Sequence, residues 1–353
     1  MISSRKRVLE EVETADKKKQ RVTEQQRRHY GLINQGATCY LNSVLQVLFM
    51  TPEIYGRLDP KSLITDQELR KIFEKLQETT CGTENITKSL EIEDVYEQED
   101  AAKYLELILD KVSPQVSEVF QGQLAYTTKC FKGHSINEET NPFWTLPLSL
   151  RDMHDGNYSV ERGFEKIFQT KFYKEDNMVF CKQCKKKTEA ASGCEMVESP
   201  HILILLLKRF VFDYNIMSDV KSDCSVDVPQ EIETQGKKYK LYGIVNHMGS
   251  LRGGHYTATV RSREDKTWYD CEDTHVQKAE EQPFAKARTY NSSTAYLLMY
   301  RASVSRDEVK EEQEEPCKSS ANIKKNPLLI LLIVLGCALI LILVVVLASL
   351  NRN

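Results

Sequence analysis

No excess of charge of either sign marks this chain: 48 lysines and arginines stand against 51 aspartates and glutamates, a formal net charge of −3 at pH 7 over 353 residues. A surface built throughout for nucleic acid needs a strong basic excess, so no nucleic-acid partner is expected. The first residues are charged and contain no apolar stretch, so no secretory leader is expected. Without entry to an oxidising compartment, the ten cysteines should be reduced thiols rather than disulfides. The sequons at Asn85, Asn157 and Asn291 should then stay unmodified. No internal repeat is visible, which argues against solenoid and propeller architectures.

Residues 1–29 are polar, with basic clusters interleaved with acids, and read as a disordered leader. After Thr38, Leu41, Val44, Leu45, Leu48 and Phe49 fall at helical spacing, with Thr38 placed to cap the helix and Thr51-Pro52 to end it. A second helix is predicted from about Glu99 to Lys111, and the region from Phe120 to about Val197 mixes short strand signals with charged loops. The run Ile202-Leu203-Ile204-Leu205-Leu206-Leu207 reads as a buried strand, and Tyr239–Val245, His255–Val260 and Ala295–Tyr300 also read as strands. Helices first and strands later predict an α+β architecture. Residues 302–326 read as a charged linker, and the uncharged, nearly all-aliphatic run 327–350 is long enough for a transmembrane helix.

Two segments carry chemistry. Gly31-Leu32-Ile33-Asn34-Gln35-Gly36-Ala37-Thr38-Cys39-Tyr40-Leu41-Asn42 puts a thiol where a glycine-containing loop enters a helix. There, unpaired backbone N–H groups and the macrodipole favour an anion. Gly253-Gly254-His255-Tyr256 puts an imidazole at the start of a strand. The thiolate is the reactive species, and a nearby base makes it available, so the two segments together predict a thiol hydrolase if they meet in space.

These segments resemble the cysteine and histidine boxes of the ubiquitin-specific proteases. Gln98-Glu99-Asp100-Ala101-Ala102, Leu207-Lys208-Arg209-Phe210, Trp268-Tyr269 with Glu272-Asp273, and Ala295–Tyr300 are similar to further family segments, in the family's order. The resemblance implies a papain-like core of helical thumb, fingers and β-sheet palm over residues 30–301. It implies Cys39 as nucleophile, His255 as base and Asn34 as oxyanion donor, acting after the terminal glycine of ubiquitin.

The chain departs from the family pattern in three places. The residue that orients the histidine is usually Asp or Asn; here Glu272 stands there with Asp273 next to it, and either is a candidate. The family's zinc site usually has two Cys-x-x-Cys pairs. Cys181 and Cys184 form one; the other keeps Cys130, has Gly133 at its second position, and is followed by His134 as a candidate fourth ligand, so a structural zinc is possible and none is required for catalysis. Asp100 matches an acid that pairs with the basic tail of ubiquitin, but Lys103 occupies a position that is often Glu and would repel that tail. The expectation is a deubiquitinase that acts on ubiquitin and ubiquitinated proteins, tail-anchored through residues 327–350 in the endoplasmic reticulum or mitochondrial outer membrane, with its catalytic domain in the cytosol. The alternative is a ubiquitin-binding membrane scaffold with weak or no catalysis.

Overall fold

A run of apolar residues with no polar alternation needs cover on both faces, and the strand Ile202–Lys208 has it. In the computed structural model, which describes residues 29–150, 157–213, 217–250 and 253–303, this strand lies within an eight-stranded sheet. On one side it pairs in parallel with Thr145–Ser149, and on the other antiparallel with Ala295–Ala302. The sheet continues through Lys237–Met248, His255–Arg261, Trp268–Glu272 and His275–Lys278, with Glu231–Thr234 paired off the main path. Side chains alternate along the strand: Ile202 and Ile204 join one buried cluster, while Leu203, Leu205 and Leu207 join another. The first cluster is shared with the helices; the second includes Tyr158, Val160 and Phe164.

The helix Cys39–Phe49 packs on the first face against the strand His255–Arg261. Its apolar stripe is where the sequence places it, but its polar residues Asn42, Ser43 and Gln46 are buried as well. Each has a hydrogen bond that offsets its burial; Gln46 Nε2, for example, donates to the Tyr30 carbonyl at 2.9 Å. Gly243 allows the close approach, because a Cβ there would lie 2.4 Å from Val47 Cγ1. Thr38 precedes the helix without capping it: its hydroxyl turns back to accept from Gln35 N and donate to Asn34 Oδ1. The second helix is Ala101–Lys111, starting later than its periodicity suggested, because the Asp100 carboxylate caps it by accepting from Lys103 N.

A separate four-stranded sheet runs in the order Ser135–Phe143, Gly122–Cys130, Ala190–Glu198, Lys171–Tyr173. Ser135–Phe143 is exposed along most of its length, so it carries no alternation for a sequence reading to find. Among the described residues, no helix is long and apolar enough to cross a membrane. The expected membrane segment 327–350 lies outside the described residues, as do residues 1–28 of the leader and 304–326 of the linker.

Candidate active site

The loop before Cys39 is tied down at both ends. Leu32 N donates to the Asp273 carbonyl at 2.8 Å, and Ile33 N donates to the Cys81 carbonyl at 2.9 Å. Asn34 organises the turn that follows: its Oδ1 accepts from Gly36 N and Thr38 N, each at 3.0 Å. Gly36 has no room for a side chain, since a Cβ would meet the Tyr96 ring at 2.5 Å. The result is a fixed entry into the helix, with Cys39 as its first residue.

Cys39 and His255, 216 positions apart in sequence, are brought together by the packing of the helix on its strand. Tyr256, the residue after His255, points its backbone N–H at Cys39 Sγ, 3.5 Å away. Cys39 is 3% exposed. Burial pushes its thiol above the ordinary range, the Tyr256 N–H pulls it back, and the Asp273 charge pushes it further up. Among the described residues Cys39 Sγ has no hydrogen bond to the imidazole, an arrangement common in substrate-free sites. Alkylation of Cys39 by iodoacetamide in the free protein is therefore expected to be slow at neutral pH and to rise through the alkaline range. Rapid, pH-independent labelling below pH 7, measured by mass spectrometry, would show a preformed thiolate instead.

The structure separates the two candidates for orienting the histidine. His255 Nε2 donates to Glu272 Oε1 at 3.1 Å. Asp273 does not reach the imidazole. Its backbone turns out of the strand with φ of 49°, and its carboxylate accepts from Asn34 Nδ2 at 3.0 Å and from Asn42 Nδ2 at 2.8 Å. Adjacent residues at a strand end point to opposite sides, so the longer Glu272 faces the ring and Asp273 faces the loop. One Asn34 N–H is thus spent on Asp273, which leaves the other for an oxyanion.

Residues 30–300 match the family model for ubiquitin carboxyl-terminal hydrolase. The chain belongs to that family. Ubiquitin carboxyl-terminal hydrolase 47 of Xenopus tropicalis is 26% identical over 378 residues, covering 77% of this chain and 28% of that protein. The Homo sapiens protein of the same name is 26% identical over 377 residues, covering 77% and 27%. Ubiquitin carboxyl-terminal hydrolase 15 of Schizosaccharomyces pombe is 28% identical over 323 residues, covering 77% and 28%. The chain spans less than a third of the length of these curated relatives. Among solved structures, the SAGA Ubp8/Sgf11/Sus1/Sgf73 DUB module bound to ubiquitin aldehyde contains a chain that matches with a TM-score of 0.64 at 22% identity, covering 79% of this chain and 71% of that one. That likeness is one of fold.

Elsewhere in this carboxyl-terminal hydrolase domain, Lys103 does not stand as an isolated positive charge. Its Nζ donates to both Glu99 carboxylate oxygens, at 2.9 and 3.0 Å, and that bond raises its pKa. The expected repulsion of a basic tail is therefore offset locally. Asp100 is also engaged, since it caps the helix and accepts from the Tyr296 hydroxyl.

The four candidate metal ligands converge. The donor atoms of Cys130, His134, Cys181 and Cys184 all lie within 4.8 Å of one another. His134 Nδ1 is 3.3 Å from Cys184 Sγ and 3.7 Å from Cys181 Sγ. A tetrahedral zinc with ordinary bond lengths has ligand-to-ligand edges of about 3.3–3.8 Å, so the set fits. Gly133, at φ of 85°, turns the chain so that His134 rather than residue 133 reaches the cluster. The Cys184 N–H points at Cys181 Sγ from 3.5 Å and is the main cause of a Cys181 pKa lowered to about 6, which favours the thiolate that a metal requires.

Sequence reasoning missed two residues near the site. Asn42 ends the cysteine segment with no role readable from the sequence; the structure shows it bound to Asp273. His247 is fully buried, neither ring nitrogen has a hydrogen-bond partner among the described residues, and burial followed by Lys221 lowers its pKa to about 4. Its Nε2 fills the space that a Gly254 side chain would occupy, 2.1 Å from the ideal Cβ position. The sequence signal was Gly254 itself, whose missing side chain makes room for the ring.

Proposed function

We propose that this chain is a thiol-dependent deubiquitinase that hydrolyses the bond after the C-terminal glycine of ubiquitin on protein conjugates. The observation that carries the reading is a carboxylate-held imidazole beside a thiol at a helix start. His255 Nε2 is held by Glu272, and the next residue, Tyr256, touches Cys39 Sγ through its N–H. With Nε2 engaged, Nδ1 is the ring nitrogen left to take the Sγ proton as sulfur adds to the glycine carbonyl. The free Asn34 N–H and backbone N–H groups near Cys39 receive the oxyanion. The C–N bond then breaks as His255 returns the proton to the departing amine, and water, deprotonated by the same nitrogen, cleaves the thioester. The names of the curated relatives and the ubiquitin aldehyde held by the structural neighbour support ubiquitin as the substrate. The test is reaction with ubiquitin carrying an electrophile at its C-terminus. The wild-type protein should gain one ubiquitin in mass and Cys39→Ala should not; tight binding with no adduct in the wild type would point to a scaffold.

Cys130, His134, Cys181 and Cys184 would hold a zinc ion as a closed structural site, which would brace the four-stranded sheet and take no part in bond cleavage. Cys184→Ala is expected to abolish zinc content measured by elemental analysis and to lower Tm by at least about 5 °C. A variant that melts like wild type would show that packing alone holds this region.

We also propose that residues 327–350 tether the domain to a membrane from its cytosolic side, in the endoplasmic reticulum or the mitochondrial outer membrane. The support is the uncharged aliphatic run, with Lys324 and Lys325 before it and Arg352 after it. Deleting residues 327–353 is expected to move the protein from the membrane to the soluble fraction and to leave hydrolysis unchanged. Loss of mass from the full-length protein on endoglycosidase treatment would place the domain in a lumen and overturn this reading.

A further inference from the structure

The strand that begins at His255 ends at Arg261, and a turn dense in charge follows it. Arg261, Arg263 and Lys266 line a groove of about 430 Å³, together with Lys240 from the adjacent strand Lys237–Met248 and Arg301 from the strand beyond it. Among the described residues no acidic side chain lines that groove. The acids of the same turn are engaged away from the groove: Asp265 accepts from Thr267 N and the Tyr269 hydroxyl, and Glu264 lines the adjoining cavity beside His29, a cavity that Arg263 borders as well. Two of the five cations have acidic partners. Lys240 pairs with Glu231 at 3.0 Å, and Arg301 pairs with Glu53 at 2.6 Å and stacks on the Tyr242 ring with its guanidinium 4.1 Å from the centroid. Among the described residues Arg261, Arg263 and Lys266 have none. Two of them are anchored by backbone carbonyls instead: Arg261 Nε donates to the Lys266 carbonyl, and Lys266 Nζ donates to the Arg263 carbonyl. Like charges held together with no counter-charge repel one another, and a bound anion relieves that cost. Guanidinium groups match phosphate oxygens in pairs, which favours phosphate over a single carboxylate.

We propose that this groove is a binding site for a compact ligand carrying two or more phosphate groups, presented either free in solution or as a lipid headgroup. It lies about 20 Å from the catalytic histidine, the length of one seven-residue strand, and is separate from the hydrolytic machinery. The test uses the full-length chain with inositol hexakisphosphate as probe, followed by calorimetry at about 0.15 M salt. The triple variant Arg261→Gln/Arg263→Gln/Lys266→Gln is expected to lose at least about tenfold in affinity, with Tm and ubiquitin hydrolysis unchanged. A control variant, Lys182→Gln/Lys185→Gln/Lys186→Gln, neutralises three lysines near the cysteine cluster and should bind like wild type. Equal loss in both variants would reduce the effect to general electrostatics and overturn the proposal, as would absence of binding to the wild type. Vesicles of phosphatidylcholine with about 5 mol % phosphatidylinositol bisphosphate, compared with phosphatidylserine vesicles of matched charge, identify the source. Recruitment of wild type over the triple variant by the phosphoinositide alone supports a headgroup; binding of the soluble probe without such recruitment supports a free ligand.

Discussion

Cys39→Ala is expected to lower the hydrolysis of a ubiquitin–fluorophore conjugate by at least about 10³-fold, and His255→Ala by a similar factor. Each removes one half of a proton-transfer pair, so the double variant should be little worse than either single one. Folding should be retained in Cys39→Ala, because the change deletes a single sulfur atom from a helix start whose loop is held by Asn34, Thr38 and Asp273. The sulfur accepts a weak bond from Tyr256 N. Circular dichroism and Tm close to wild type, with turnover gone, is the expected pair of results. Substantial residual hydrolysis by purified Cys39→Ala would end the thiol mechanism.

The second large effect comes from the two adjacent acids, and the geometry assigns them different consequences. Glu272→Ala frees the imidazole and should lower kcat by about 10²-fold. Its side chain is 63% exposed, so Tm should not move. Asp273→Ala acts elsewhere. It removes the acceptor shared by Asn34 and Asn42, and leaves Asn42 with one long bond, to the Leu32 carbonyl at 3.5 Å. The oxyanion loop then loses its carboxylate link to the helix and keeps only weaker or local ones, so both kcat and Tm should fall. A Glu272→Ala variant with full activity, beside an Asp273→Ala variant that loses kcat at unchanged Tm, would reverse the assignment.

Reading the sequence singled out Cys39, His255 and the Cys181/Cys184 half of the cysteine–histidine cluster because each is announced locally. A glycine-containing loop before a helical stripe, Gly-Gly before a strand, and a Cys-x-x-Cys pair can all be seen within a few residues. The choice between Glu272 and Asp273 could not be made that way. It depends on where the strand ends and on a left-handed residue at its end, a choice of φ that no neighbouring residue dictates. Asn42 and His247 were illegible for a related reason, since their partners or neighbours come from segments distant in sequence or from across the sheet. The exposed strand Ser135–Phe143 left no pattern because, apart from Phe143 at its end, it scarcely packs on a core.

The link between Asp273 and the two asparagines spans 239 and 231 positions of sequence. A ribosome makes Asn34, Cys39 and Asn42 long before it makes Asp273, and His255 and Glu272 also come late. Throughout that interval the thiol has neither its base nor the clamp on its oxyanion loop. On the proposed mechanism, the nascent chain cannot cleave conjugates on neighbouring proteins while these parts are missing. That mechanism needs one of the last strands of the sheet to emerge and close the loop from behind.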